Sequence, residues 1–480
     1  MPLYWTTTWL VFATLLGVLA AGHAILTKRD PRSALLWVGL VLFAPFIGAM
    51  LYALFGINRI ERRATRVRPL AGRIGGGDVP HTVSKADLAA RLGARGQQFL
   101  PLEAALDKVL RRPLVAGNRV GILTDGDETY PAMLDAIGAA QQSVTFATYI
   151  FEAGPVGQSI AAALGRAVAR GVEVRVLIDD AGLTYSRPRA TRLLEEHGVP
   201  HARFNPSWGP LPSPGFNMRN HRKICVVDGV VGFTGGLNVR QRHILADPRG
   251  GAPTRDLHFR IEGPIVRMLQ EVFAEDWAFT TGERLGGARW FPALQARGGV
   301  LARAIAAGPD EDFDKLRLTL LSAIGVAQRS IRVVTPYFLP NADLMTAFDA
   351  AALRGIEVDL LVPERSNVPV FGWAMRALFE SFTEHGCRVW LVPAPFDHAK
   401  LVLIDDTWAF IGSSNWDARS LRLNFEFSLE CYDADLAAQI AAVIDARQAS
   451  ARQVTREELA EWVLWRRLRD RTARLLTPIL

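Results

Sequence analysis

Two stretches of this 480-residue chain carry the same four polar residue types at the same spacing. The first set is His221, Lys223, Asp228 and Asn238, and the second set is His398, Lys400, Asp405 and Asn415. Histidine can act as a nucleophile or transfer protons, and lysine can neutralise an anion, so each set could act on an anionic substrate. The chain has only six lysines, so two matching sets are not expected by chance.

Each set predicts a β-hairpin that brings its residues together. Four strand-forming residues separate the lysine from the aspartate, 224–227 in the first set and 401–404 in the second. A histidine and a lysine two positions apart project from the same side at the start of such a strand. A turn at the aspartate and a returning apolar run would then place the asparagine beside them. Small residues before the asparagine leave room for an anion at backbone N–H groups; they are Gly235, Gly236, Gly412 and Ser413.

The two hairpins belong to a longer internal repeat. Residues 140–151 share an Ala-Gln-x-Ser pattern, a threonine and a phenylalanine with residues 327–338. An alanine-rich helical stretch follows each copy, and then a second matching piece, 170–174 or 354–358. Strand, helix and strand, with a glycine before the second strand, describe a β-α-β unit with a parallel pair. The sequence therefore predicts an α/β protein with two similar domains in tandem.

Two long uncharged stretches stand at the N-terminus. Residues 1–27 and 33–58 contain no Asp, Glu, Lys or Arg, and each reaches the roughly 20 residues that span a bilayer. They predict a transmembrane helical hairpin, with two buried core helices as the alternative. A cleaved signal peptide would instead have a basic start and a short apolar run. Six arginines in residues 59–73, against three basic residues in the connection at 28–32, place the remaining chain in the cytoplasm.

These features divide the chain into five parts. They are a transmembrane hairpin at 1–60, a linker with one amphipathic helix at 61–112, a first α/β domain at 113–290, a second at 291–452, and a basic amphipathic segment at 453–480. The last segment could lie on an anionic membrane surface or close the second domain as a packing helix.

The composition narrows the class of protein. Apolar residues make up 49% of the chain and charged residues 21%, which excludes a disordered chain. The formal charge of +7 suits anionic lipid, nucleic acid or phosphate, and does not choose among them. Three widely spaced cysteines indicate neither a disulfide framework nor a cysteine-based zinc site.

The twin motifs resemble the phospholipase D superfamily, whose H-x-K-x4-D motifs meet at the interface of two α/β/α domains. The N-terminal hairpin, the context of residues 219–224 and the tail at 474–476 look like the bacterial cardiolipin synthase branch. One departure is that Gly236 stands in the first copy where Ser413 stands in the second, so a hydroxyl contact to phosphate is lost on that side.

The resemblance implies roles for particular residues. One imidazole attacks phosphorus to form a phosphohistidine, and the other donates a proton to the leaving alkoxide. The implied catalytic residues are His221, Lys223, Asp228, His398, Lys400 and Asp405, although the two aspartates are expected to fix loops at the domain interface. Phosphate would be bound by Asn238, Ser413 and Asn415, and the histidines oriented by Asp256 and Glu426. No metal and no cofactor is implied, because two lysines supply the positive charge.

The resemblance also implies a function. It is a membrane-bound phosphatidyltransferase that makes cardiolipin and glycerol from two phosphatidylglycerol molecules, in the bacterial inner membrane. The alternatives are a phospholipid hydrolase, a nuclease with the same motifs, or a scaffold without activity. The hairpin argues against a nucleic-acid partner, and the complete motifs argue against a scaffold. The donor lipid, the acceptor lipid and the oligomeric state stay open.

Overall fold

The computed structural model describes residues 3–28, 31–56, 81–206, 218–247, 251–309 and 314–477. They divide into two compact units, one formed mainly by the first 66 residues and one that contains most of the rest. Residues 29 and 30 of the predicted turn, the arginines at 59–73 and the glycines at 75–77 lie outside the described residues.

The N-terminal unit consists of short and long apolar helices. They are α1 (Leu3–Thr27), α2 (Pro31–Phe43) and α3 (Pro45–Leu51), followed by a π-helical turn at Tyr52–Gly56. Pro45 starts α3, because proline cannot donate the hydrogen bond that would continue α2. Ala24, Val41 and Tyr52 are buried among these helices. Across the part of the chain that the structure describes, no helix is long and apolar enough to cross a membrane.

The second unit contains two halves with matching elements. Two helices precede the first half, α4 (Lys85–Leu92) and α5 (Leu100–Leu110). The strands of the first half are β1 (Val115–Thr124), β2 (Ser143–Thr148), β3 (Glu173–Asp179), β4 (His201–Phe204), β5 (Arg219–Asn220), β6 (Ile224–Val227), β7 (Val231–Gly235), β8 (Thr254–Arg255) and β9 (Leu257–Glu262). Its helices are α6 (Asp125–Ala139), α7 (Pro155–Ala169), α8 (Ala190–Glu196) and α9 (Val266–Thr281).

The second half repeats this order and adds C-terminal helices. Its strands are β10 (Val300–Ala307), β11 (Ser330–Val334), β12 (Glu357–Pro363), β13 (Arg388–Val392), β14 (Phe396–Asp397), β15 (Leu401–Ile404), β16 (Trp408–Gly412), β17 (Asn424–Tyr432) and β18 (Arg452–Gln453). Its helices are α10 (Lys315–Val326), α11 (Ala342–Leu353), α12 (Pro369–Thr383), α13 (Ala418–Arg422), α14 (Ala434–Ser450), α15 (Arg456–Ala460) and α16 (Leu464–Arg474).

Most strands of the described chain form one continuous sheet. Its order is β18-β13-β12-β11-β15-β16-β17-β10-β1-β9-β7-β6-β2-β3-β4, with β5 attached to β17. Outward from the central antiparallel pair of β1 and β10, both halves follow the same path. The pairs β2–β3 and β11–β12 are parallel, as the repeat predicts. The predicted tandem of two similar α/β domains is confirmed.

Short strands cross from each half to the other. The parallel pair of β5 and β17 joins the residues before His221 to those before Glu426. The parallel pair of β14 and β8 joins the residues before His398 to those before Asp256. Each half therefore delivers its histidine to a strand of the opposite half.

The second part of the predicted linker is packed into the body of the protein. Leu88, Leu102 and Leu106 are buried in the hydrophobic core of the second half. Phe99 contacts the ring of Tyr432, with centroids 5.8 Å apart. The prediction of a linker over 61–112 is therefore wrong for residues 81–112, because their apolar side chains are needed to cover this core.

Candidate active site

The predicted hairpins are present, and each holds a histidine and a lysine at its start. In the first, β6 pairs with β7 through a turn at Asp228 and Gly229, both with positive φ. In the second, β15 pairs with β16 through Asp405 and Asp406, also with positive φ. The strands β6 and β15 are buried along their whole length, which fixes the direction of the residues that precede them.

The two histidines each bind a carboxylate of the opposite half. The Nδ1 of His221 lies 3.0 Å from both carboxylate oxygens of Glu426. The Nδ1 of His398 lies 2.7 Å from Oδ2 of Asp256. Both carboxylates are fully buried, whereas the side chain of His221 is 12% exposed and that of His398 is 13% exposed. An Nδ1–H that donates to a carboxylate leaves Nε2 with its lone pair for chemistry.

The backbone repeats this reciprocal arrangement. The N–H of His221 donates to the carbonyl of Phe425, and the N–H of His398 donates to the carbonyl of Arg255. Phe425 directly precedes Glu426, and Arg255 directly precedes Asp256. Main chain and side chain therefore fix each imidazole against the same short segment of the other half.

The two lysines lie at the same site and are almost completely buried. Lys223 Nζ donates to the carbonyl of His221 at 2.7 Å, and Lys400 Nζ donates to the carbonyl of His398. Burial lowers the pKa of Lys223 to about 7 and that of Lys400 to about 8, while the nearby carboxylates act in the opposite direction. A bound anion would favour their charged forms.

The imidazoles share one electrostatic environment. Burial lowers the pKa of His221, and Lys223 and Lys400 lower it further. Burial also lowers the pKa of His398, and Lys400, Lys223 and His221 add to this effect. Residues of both motifs thus act on each other's protonation, as expected for a single site made from two halves.

Asp228 and Asp405 lie at the far end of their strands and bind backbone. Asp228 accepts the N–H groups of Gln141, Gln142 and Ser143 at 2.7 to 2.9 Å from its nearer oxygens. Asp405 accepts three equivalent N–H groups, at residues 328–330, at 2.7 to 2.8 Å. These bonds agree with the expectation that the two aspartates fix loops, although each carboxylate holds the loop before β2 or β11 within its own half and not across the domain interface.

The difference between Gly236 and Ser413 has a steric reason. A Cβ on Gly236 would lie 2.1 Å from Oδ1 of Asp256. Ser413 instead donates its hydroxyl to Oε2 of Glu426 at 2.6 Å and is fully buried. The hydroxyl of Ser413 therefore supports the carboxylate that holds His221, and its contact with phosphate stays a prediction.

The two asparagines occupy related positions. Asn238 Oδ1 accepts the N–H of Ile150 at 3.0 Å, and Asn238 lines a small cavity together with Lys223 and His258. Asn415 is also buried, and its Oδ1 has no hydrogen-bond partner within the described residues. The structure thus places Asn238 beside Lys223, which a role in phosphate binding requires.

Sequence reasoning missed two aromatic residues at the site. The ring of Tyr149 lies 5.2 Å from that of His221, and the ring of Tyr337 lies 6.3 Å from that of His398. Tyr149 follows Thr148 directly, whereas Tyr337 follows Thr335 by two positions, so the internal repeat does not align the two tyrosines and gave no signal for them.

A buried charged residue of the first motif was also missed. Arg222, between His221 and Lys223, is 2% exposed and forms a 2.5 Å ion pair with Asp276. Its Nε donates to the carbonyl of Glu426 at 3.1 Å. Arg222 therefore ties the first motif to the carboxylate segment of the second half.

Comparison with known proteins agrees with this geometry. The family described as "Cardiolipin synthase, PLD-like domain" matches residues 133–277 and 320–447, which together exceed half of the chain. This chain belongs to the cardiolipin synthase family of phospholipase D-like proteins. A second family, "Phospholipase_D-nuclease N-terminal", matches residues 15–56.

Curated members of the family match nearly the whole chain. Cardiolipin synthase A of Pseudomonas entomophila is 34% identical over 473 residues, which cover 97% of this chain and 96% of that protein. The Pseudomonas fluorescens (strain SBW25) protein of the same name is 34% identical over 470 residues, with the same coverage of both chains. Among solved structures, phosphatidylserine synthase of Haemophilus influenzae covers 79% of this chain and 100% of its own, with a TM-score of 0.60 at 15% identity, which shows a shared fold.

Proposed function

We propose that this member of the cardiolipin synthase family forms cardiolipin and glycerol from two molecules of phosphatidylglycerol. The observation that carries the proposal is the pair of imidazoles, His221 and His398, each oriented by a buried carboxylate and flanked by a lysine. The family match and the curated relatives named cardiolipin synthase A support the identity of the product.

The first step is attack on the phosphodiester of one lipid. The neutral Nε2 of one histidine forms a bond to phosphorus, and the bond from phosphorus to the glycerol headgroup oxygen breaks. The other histidine, protonated, gives its proton to the departing oxygen, so free glycerol leaves. The product is a phosphatidyl group bound to the first imidazole.

The second step reverses these roles with a new alcohol. The histidine that has lost its proton removes one from the headgroup hydroxyl of a second phosphatidylglycerol. The new alkoxide attacks phosphorus, and the bond to the first imidazole breaks. One phosphodiester has been exchanged for another, so no further reactant is required.

The surrounding residues would stabilise the charge of the phosphorus centre. Lys223 and Lys400 can neutralise its equatorial oxygens, and the amides of Asn238 and Asn415 can add donors. Asp256 and Glu426 hold the imidazoles in the tautomer that presents Nε2, and they stabilise the imidazolium when it forms. Ser413 supports Glu426 in this role.

The N-terminal helices would hold this chemistry at a membrane. In α1 and α2 many apolar side chains face outward, including Leu19, Leu26, Leu35 and Leu36 at 72% to 87% exposure. Such a surface needs a lipid environment. We propose that residues 1–60 form the anchor, with the two halves at 113–290 and 291–452 in the cytoplasm of a bacterial cell.

Product analysis tests the function. The full chain, reconstituted in vesicles of phosphatidylglycerol, should release cardiolipin and glycerol in equal amounts, and added glycerol should drive the reaction backwards. The His221→Ala and His398→Ala variants, matched for folding, should each be inactive. Phosphatidic acid as the main product would make the protein a hydrolase, and dependence on another phospholipid would change the donor.

A further inference from the structure

The C-terminal helix α16 is attached to the second half by one face. Asp470 is 1% exposed and accepts a hydrogen bond from Arg376 of α12 at 3.3 Å. Ala473 is buried in the hydrophobic core of the same half. Arg471 forms a 3.2 Å ion pair with Glu380 of α12. The orientation of α16 on the protein is therefore fixed.

The opposite face of α16 is apolar and exposed. Leu464 is 81% exposed and Leu468 is 66% exposed, and Leu475, which directly follows α16 and keeps a helical backbone, is 78% exposed. Positions separated by four and by eleven residues fall on the same side of an α-helix. Trp465, 64% exposed, widens this stripe. Four large apolar side chains held in water on one fixed face indicate a surface that contacts an apolar partner.

Basic residues border this apolar stripe. The helix contains five arginines and a single acidic residue, and that residue, Asp470, is buried on the attached face. Arg469 lies over the ring of Trp465, 5.1 Å from its centroid, and Arg466 lies over Trp462 at 4.1 Å. Two copies of this face would bring like charges together, whereas a bilayer with anionic headgroups complements both its charge and its apolar stripe.

We propose that α16 docks on an anionic phospholipid bilayer. The leucines and Trp465 enter the boundary of the acyl chains, and the arginines contact lipid phosphates. This contact goes beyond the proposed function, because it is a second membrane contact, made by the catalytic body itself and separate in sequence from the N-terminal helices.

The docked helix has a short connection to the active site. Trp373 of α12 lies under the guanidinium of Arg469, which is 5.0 Å from the ring centroid. Two residues earlier on α12, Phe371 contacts Tyr337 at 4.7 Å, and the ring of Tyr337 lies at His398. Docking of α16 would therefore hold the site close to the surface that contains its lipid substrate.

A fluorescent label tests the contact without reference to activity. Leu468→Cys can be labelled selectively with an environment-sensitive fluorophore, because Cys225, Cys387 and Cys431 are buried. Leu353→Cys on α11 is a matched control, since Leu353 is 69% exposed and lies outside α16. The full chain would be reconstituted in vesicles of 70% phosphatidylcholine and 30% phosphatidylserine, with and without brominated acyl chains.

The label at 468 should shift its emission to shorter wavelength and be quenched at least twofold by brominated lipid, and the label at 353 should do neither. Equal behaviour of the two labels would overturn the proposal. The emission at 468 could instead shift with the density of protein in the vesicles and stay unquenched by brominated lipid. That result would overturn the proposal and would indicate that α16 contacts a second copy of the chain.

A kinetic comparison separates this contact from the chemistry. The variant Leu464→Ser/Leu468→Ser/Leu475→Ser should raise KM at least tenfold on phosphatidylglycerol vesicles, with kcat and the turnover of a soluble short-chain phosphatidylglycerol unchanged. Loss of turnover on both substrates would overturn the docking role. If the wild-type chain makes no cardiolipin, the proposed function fails, while the fluorescence result still stands for α16.

Discussion

The carboxylate of Asp256 lies 2.7 Å from Nδ1 of His398, 142 residues further along the chain and in the opposite half of the protein. This bond and its counterpart between Glu426 and His221 give the site a crosswise construction. The two halves therefore complete each other's histidines.

Removal of one orienting charge should reduce turnover. In Asp256→Asn the amide cannot stabilise the imidazolium of His398 and can favour the wrong tautomer, so kcat should fall by about 10² to 10⁴. Glu426→Gln should have a similar effect through His221. Both variants should be assayed for cardiolipin formation after their folding has been compared by circular dichroism. Retention of more than a tenth of the wild-type kcat in either variant would contradict the assigned roles.

The motif aspartates should matter for stability more than for chemistry. Asp228→Asn replaces the carboxyl group that accepts three backbone N–H groups with an amide that has one oxygen, so the melting temperature should fall by about 2 to 6 °C. Asp405→Asn should cost more, because Asp405 also accepts a bond from Gln98 at 2.5 Å. Scanning calorimetry gives the melting temperature. A large loss of kcat at a temperature where the variant is folded would show that the aspartates take part in catalysis.

The unequal pair Gly236 and Ser413 should respond unequally to substitution. Gly236→Ala places a Cβ 2.1 Å from Asp256 Oδ1, so it should displace that carboxylate and reduce kcat by at least tenfold. Gly138→Ala in α6 is the matched control, since a Cβ there meets nothing within 4 Å and alanine favours a helix. Ser413→Gly should reduce kcat to a smaller extent, because one bond to Glu426 is lost. Normal activity of Gly236→Ala would show that Asp256 has room to move.

Activity should decline as pH rises through the range in which the lysines lose their protons. Their pKa values of about 7 and about 8 fall well below the ordinary 10.5 because both are buried. A neutral lysine cannot balance the phosphate, so kcat/KM of the free enzyme should decrease above pH 7 to 8. Lys223→Arg should move the alkaline limb of its remaining activity upwards, from the pKa of Lys223 towards that of Lys400, because arginine keeps its charge. A profile that is flat from pH 6 to 9 would contradict this assignment.

The same shifts have a consequence for stability. Between about pH 7 and pH 10, an unfolded chain holds protons on Lys223 and Lys400 that the folded chain has released. The contribution of these two groups to stability should therefore increase with pH across this window. Comparison of the wild type with Lys223→Met/Lys400→Met by thermal unfolding isolates this contribution.

The sequence predicted the residues of the site better than their partners. Spacing alone placed His221 and Lys223 on one hairpin, because the period of a strand fixes which side chains share a face. Spacing could not reveal that Glu426 serves His221, since this depends on the pairing of β5 with β17 across the two halves. The motif also contains Asp228, which was expected to fix a loop, but its spacing could not show that this loop lies within the same half.

The predicted linker shows a second limit of prediction from the sequence. Residues 81–112 read as a tether with one helix, because the stretch is rich in arginine, alanine and glycine. The leucines of α4 and α5 explain why this segment packs on the second half, since they cover part of its core that would otherwise be exposed to water. The composition of a segment does not show whether a core elsewhere in the chain needs its apolar side chains. The packing of residues 81–112 could therefore be seen only in the folded structure.

The crosswise construction has a consequence for biosynthesis. During translation, the first half emerges with His221 and Lys223 already in place, yet His221 has no carboxylate partner until Glu426 has been made. The nascent chain therefore carries an incomplete site until the second half has been made. The complete site can form only after residue 426 has left the ribosome, when nearly nine-tenths of the chain has been made. The order of synthesis therefore prevents lipid transfer until both halves are present.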